Sequence, residues 1–72
     1  MFTVTKQMLT DRINEFNKEF NDTLSLQPVY QNHYNLVRLN ETGTIKDLLV
    51  SMKKVKDINL YFSGYSNGKR GL

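Results

Sequence analysis

The chain predicts an α+β fold, a short antiparallel sheet flanked by two amphipathic helices in the order α-β-β-β-α. Two patterns carry that expectation. Apolar residues recur at helical spacing at both ends, as Leu9, Ile13, Phe16 and Phe20 near the start and Val55, Ile58, Phe62 and Tyr65 near the finish. Between them lie short alternating segments separated by turn residues, which is how strands read.

The first helix has Thr3 or Thr5 as N-cap, because a hydroxyl there accepts from an otherwise unpaired backbone N–H. Phe2 and Met8 widen its apolar stripe, and Asp11, Arg12, Glu15, Lys18 and Glu19 take the other face. Glu15 and Glu19 are like charges one turn apart and cost a few tenths of a kcal/mol. Asn21-Asp22-Thr23 ends the helix, since these side chains compete for backbone hydrogen bonds.

Leu24-Ser25-Leu26 alternates, but Pro28 has no N–H to give a ladder. The first strand is therefore an edge, or an extended segment that becomes a strand only after Pro28. Gln31-Asn32-His33 reads as a turn. The segment from Tyr34 to Asn40 is apolar on both faces, with Tyr34 and Leu36 on one and Val37 and Leu39 on the other. That pattern suits a central strand covered on each side. Gly43 supplies the positive φ of a three- or four-residue hairpin loop, and Ile45 to Met52 forms the third strand.

Ser51 is the expected N-cap of the second helix, which runs from about Met52 to Ser66 with Tyr61 at the border of its stripe. Gly64 inside it permits close approach of a neighbour or marks an earlier end. Gly68 is the expected left-handed terminator. That leaves residues 67–72 as a basic tail free to be disordered.

Seventy-two residues are read as one domain spanning 1–72. A chain this small buries only about 60% of its unfolded surface, so a dozen or so side chains must hold it. An apolar fraction of 39%, with four Phe and four Tyr, argues against disorder. The absence of cysteine excludes disulfides, thiol nucleophiles and cysteine-ligated metals. Short secreted domains usually need such a staple. Together with the lack of a signal-peptide pattern or an apolar run of membrane-spanning length, this points to a reducing cytoplasm and no membrane. Dimerisation is another route to stability at this size.

The net charge is +3, unevenly spread. Residues 1–26 balance at −1, whereas residues 45–72 carry Lys46, Lys53, Lys54, Lys56, Lys69 and Arg70 against Asp47 and Asp57, a balance of +4. A basic half attracts phosphate or an acidic partner; it is also what ordinary solvated lysines look like.

No residue set reads as catalytic. His33 is the single histidine and has no serine or acid at a diagnostic spacing. Asp11 and Glu15 sit one turn apart on a charged helix face, too few oxygens for a cation cage. Gly64, Gly68 and Gly71 do not form a phosphate loop, because no strand leads through them into a helix. No cofactor is implied. The constellation with functional promise is Lys53, Lys54 and Lys56 with Tyr61, Tyr65, Lys69 and Arg70, where cations face phosphates and rings stack on bases. The competing reading puts the rings in the core. Tyr30 and Tyr34, near one hairpin turn, suit a protein interface.

The chain resembles a group of very small, uncharacterised proteins encoded by phages and prophages of Gram-positive bacteria. The likeness rests on the Thr5-Lys6-Gln7-Met8-Leu9 opening, the Tyr34-Asn35-Leu36-Val37-Arg38-Leu39 strand, and the closing Leu60-Tyr61-Phe62-Ser63-Gly64-Tyr65 helix. It implies a phage or prophage accessory protein acting in the bacterial cytoplasm. The function expected is a non-enzymatic module that binds a host or phage protein, with a homodimer as one form. The alternative is a small nucleic-acid binder using the second helix and the basic tail.

Overall fold

Thr5 opens the fold. A computed structural model describes residues 4–71; in it the Thr5 backbone is extended and its hydroxyl accepts from the Met8 N–H, so helix α1 runs Lys6–Phe20. Thr3 as an alternative cap and Phe2 as part of the stripe lie outside the described residues. At the far end Asn21 turns left-handed (φ 51°, ψ 47°) and donates its N–H to the Asn17 carbonyl. Asn17 then holds the next element: its amide donates to the Leu24 carbonyl at 2.9 Å and accepts from the Leu24 N–H at 3.0 Å. One side chain thus fixes the exit of α1 and the entry of the sheet.

The sheet is an antiparallel meander of β1 (Leu24–Tyr30), β2 (His33–Leu39) and β3 (Ile45–Lys53), with β2 in the middle. Pro28 lies within β1, tolerated because β1 is an edge. The first turn narrows to Gln31-Asn32, with Asn32 at φ 55°, and His33 becomes the first residue of β2 instead of part of the turn. The second loop, Asn40 to Thr44, closes on itself: Gly43 at φ 85° lets its N–H reach the Asn40 carbonyl, and the Asn40 side chain accepts from the Thr42 and Thr44 N–H groups.

The second helix begins later and ends later than its sequence suggests. Ser51 does not cap it. Lys53 pairs with Tyr34, so the ladder keeps Ser51, Met52 and Lys53 in β3. Met52 takes φ 49° at a bulge and donates its N–H to the Asn35 side chain at 2.8 Å. Helix α2 runs Val55–Arg70 with Lys54 as N-cap, and no side chain caps that end. Gly68 stays helical. Gly71, at φ 78°, is the terminator, and its N–H reaches the Asn67 and Gly68 carbonyls. Residues 67–70, expected as tail, are therefore the last turn of α2; Leu72 lies outside the described residues.

Both helices pack on the same face of the sheet. Leu9, Ile13 and Phe16 from α1, Leu24 and Leu36 from the strands, and Ile58 and Phe62 from α2 form one buried cluster. Phe20 and Tyr65, expected in the two stripes, are half-buried against it. Phe16 is its centre, with the Phe20, Phe62 and Tyr65 rings at 4.7, 5.4 and 5.7 Å. The helices run parallel, since Arg12 bonds Asn59 and Ser63 while Glu19, further along α1, meets Arg70 at the end of α2. The 16 Å short dimension of the Cα trace fits one helix layer on one sheet. Cover on both sides of β2, expected from its double apolarity, is therefore not what forms: Leu36 faces the helices and the equally buried Val37 faces away.

Replacing Phe16 with alanine should cost about 3–5 kcal/mol, a large share of the roughly 4–11 kcal/mol expected of a domain this size. A urea titration should show the midpoint falling in proportion to that share. Gly64 behaves oppositely: a Cβ there would meet nothing within 4 Å, so neither close approach nor a helix end explains it. Gly64→Ala should stabilise by about 0.5–1 kcal/mol through helix propensity, read as a rise in melting temperature.

Candidate functional site

The parallel helices place both of their N-termini beside the β1–β2 turn and the end of β3. Lys6 of α1 stands over the Tyr34 ring at 5.4 Å, and Tyr34 pairs with Lys53 across the sheet. Lys54 and Lys56 follow at the start of α2. The fold thus gathers Lys6, Lys53, Lys54 and Lys56 at one end, all exposed, none in an ion pair among the described residues. Asp57 is the acidic residue in the first turn of α2. Helix N-termini add fixed partial positive charge at the same end.

The tyrosines divide. Tyr30 is 68% exposed beside His33, ring centroids 6.3 Å apart, while Tyr34 is half-buried against the core. The Nδ1–H of His33 donates to the Gln31 carbonyl at 2.6 Å, so the imidazole braces the turn. Tyr61 is 41% exposed and stacks on Tyr65 at 6.1 Å. It lines a shallow groove of about 650 Å³ between β3 and α2 together with Leu49, Val50, Lys53 and Asp57. Tyr61 therefore belongs with the lysine end.

Lys69 and Arg70 do not. They sit at the far end of α2, about 20 Å away at the 1.5 Å rise per residue. Arg70 is held by Glu19 through contacts of 3.0 and 3.2 Å and lies over the Phe20 ring at 5.7 Å. Lys69 adds its field to the Asp22 carboxylate. The basic set proposed by the sequence is thus two groups at opposite ends, of which the second is partly neutralised.

Arg38 ties that second end together from β2. It donates to Asp22 at 3.0 and 3.2 Å, to Asp47 of β3 at 3.3 Å, and to the Tyr65 hydroxyl of α2. Burial pushes the Asp22 carboxyl up, but the Arg38 hydrogen bonds, the Thr23 N–H and the fields of Arg38 and Lys69 outweigh it, holding Asp22 below the usual carboxylate range. The same partner raises Arg38.

The sheet face turned away from the helices is the other notable surface. Cross-strand pairing puts Ser25, Val37 and Leu48 side by side on it, with Gln27 beside Asn35 and Leu39 beside Ile45. None of these is charged, in a chain that is 24% charged. Ile45 and Leu48 are about half exposed, at 51% and 55%. The sheet edges are less inviting: β1 carries Pro28 and a bulge, and β3 is irregular at several points. Reading the sequence by composition missed Lys6, Ile45 and Leu48; the alternation on both faces of β2 was the signal available for the latter two.

No protein-family model, curated protein or solved structure matches the chain. Among the described residues no group of His, Asp and Glu is arranged to hold a metal ion, and no helix is long and apolar enough to cross a membrane.

The Asp22–Arg38 contact predicts a pH signature. A carboxyl held below its unfolded value of 3.8 contributes stability above that value and loses it as pH falls through the lower folded value. Asp22→Asn should therefore lose about 1–2 kcal/mol at neutral pH. Chemical denaturation across pH should show its gap from the parent chain closing as pH falls below 3.8 and through the lower folded value.

Proposed function

We propose that this chain is a non-enzymatic interaction module that self-associates through the open face of its sheet. The observation that carries the reading is the uncharged surface that surrounds the buried Val37 and leaves Ile45 and Leu48 about half exposed on an otherwise highly charged domain. A second copy is the occupant that fits. Each chain carries +3, so self-association is least opposed where no like charges are brought into contact, and a two-fold contact between uncharged faces meets that condition. Pro28 and the bulges disfavour edge-to-edge pairing, which leaves face-to-face packing.

Size sets the strength. Three strands at about 4.8 Å spacing and some 25 Å length offer roughly 400 Å² of footprint per copy, small beside the ~800 Å² per partner of a standard interface. The assembly is a weak, concentration-dependent dimer. In the setting implied by the phage-protein resemblance, such a dimer serves as an accessory protein that presents its remaining surfaces twice.

Sedimentation equilibrium should show monomer at about 10 μM and a growing dimer fraction toward about 500 μM. Leu48→Glu should abolish the dimer while keeping the fold, because Leu48 is exposed and outside the helix-covered core. A chain that stays monomeric throughout, or an L48E variant that dimerises as well as the parent, overturns the reading.

A further inference from the structure

We propose that the end bearing Lys6, Lys53, Lys54 and Lys56 binds the phosphodiester backbone of nucleic acid. The inference stands apart from self-association, because none of these lysines lies among the paired positions of the open sheet face. Three observations carry it. The cluster is a product of the fold: Lys6 is far from the others in sequence, and Tyr34 links it to Lys53. It is unpaired: Arg38 and Arg70 are each held by carboxylates at the opposite end, whereas none of these four lysines has an ion-pair partner among the described residues, and the one carboxylate in the first turn of α2, Asp57, leaves the group with a net positive balance. And it is flanked by exposed rings, Tyr30 at 68% and Tyr61 at 41%.

The chemistry favours this ligand over others with negative charge. Lysine ammonium groups on flexible stems are point charges that track a phosphate chain without demanding a fixed geometry. Exposed tyrosine rings stack on bases whatever their identity. An anionic bilayer asks for a continuous apolar face that inserts beside the lysines; at this end Tyr34 and Val55 are packed against the core, and the exposed aliphatic side chains are the separate Val29 and Met52. Binding is therefore expected to be independent of sequence and governed by salt.

The test is fluorescence anisotropy of a labelled oligonucleotide of about 20 nucleotides, as single strand and as duplex, titrated with the full chain. Four neutralised phosphates give a log–log salt slope of about −2.8 on single strands and −3.6 on duplex, so affinity should fall roughly 50- to 150-fold between 50 and 200 mM salt. A Lys53→Ala, Lys54→Ala, Lys56→Ala triple variant should reduce the slope to about −1, with its melting temperature confirming the fold. Lys69→Ala, at the other end, should leave binding within about twofold. Tyr30→Ala assigns the source: weakening on the single strand alone marks stacking on unpaired bases, and weakening on neither marks a duplex backbone site. The proposal is overturned by absence of binding at 50 mM salt, by a K69A loss equal to that of the triple variant, or by tighter binding to phosphatidylserine vesicles than to either nucleic acid.

Discussion

Phe16 is where the two helices and the sheet become one structure. Its ring is fully buried and meets Phe20 on its own helix and Phe62 and Tyr65 on the other, the Phe62 contact edge-on at 73°. Edge-on and tilted ring contacts add to what burial alone supplies. Tyr65 carries the connection onward, because its hydroxyl meets Arg38, which in turn holds Asp22 and Asp47. Apolar core and polar network are therefore continuous through one tyrosine. The end of α1, the central strand, β3 and α2 are all positioned by groups within two contacts of Phe16.

A chain of this length builds one such core and no more. Both helices lie on one face of the sheet to make it, and the price is the other face, which the sequence leaves uncharged and part apolar, part polar. Val37 is nonetheless fully buried there by its neighbours. The strands on either side supply Ser25 and Leu48 across from it, and the exposed part of that surface falls on Ile45 and Leu48. The domain's two unused surfaces follow from this one allocation: an uncharged face, and an end where lysines outnumber the carboxylates and none is held in an ion pair among the described residues.

The element order was legible because each pattern had its own period and its own punctuation. Leu9, Ile13 and Phe16 fell on the buried face of α1, and Asn21 and Gly43 took the left-handed conformations their types favour. The errors share a cause. Ser51 and Gly68 look like helix boundaries by residue type, but the ladder to Tyr34 holds Met52 and Lys53 in β3, and nothing stops a glycine from staying helical until Gly71. Tertiary pairing overrode local preference at both ends of α2. The site was less legible. Lys53, Lys54 and Lys56 were visible as a run, but grouping them with Lys69 and Arg70 ignored the length of the helix between. Lys6 was missed although counting would have found it, since an odd number of antiparallel strands between two helices returns the second parallel to the first.

That same parity has a practical side. Lys6 and Val55 begin their helices at one pole, and α2 finishes at the other, so the described chain enters near the lysines and leaves beside Glu19 and Arg70. A fluorophore or affinity handle placed on the last turn of α2 stands a full helix length from the lysines. The same label on the first turn of α1 shades them. Which pole carries the label thus decides whether a capture experiment interrogates the lysines or conceals them.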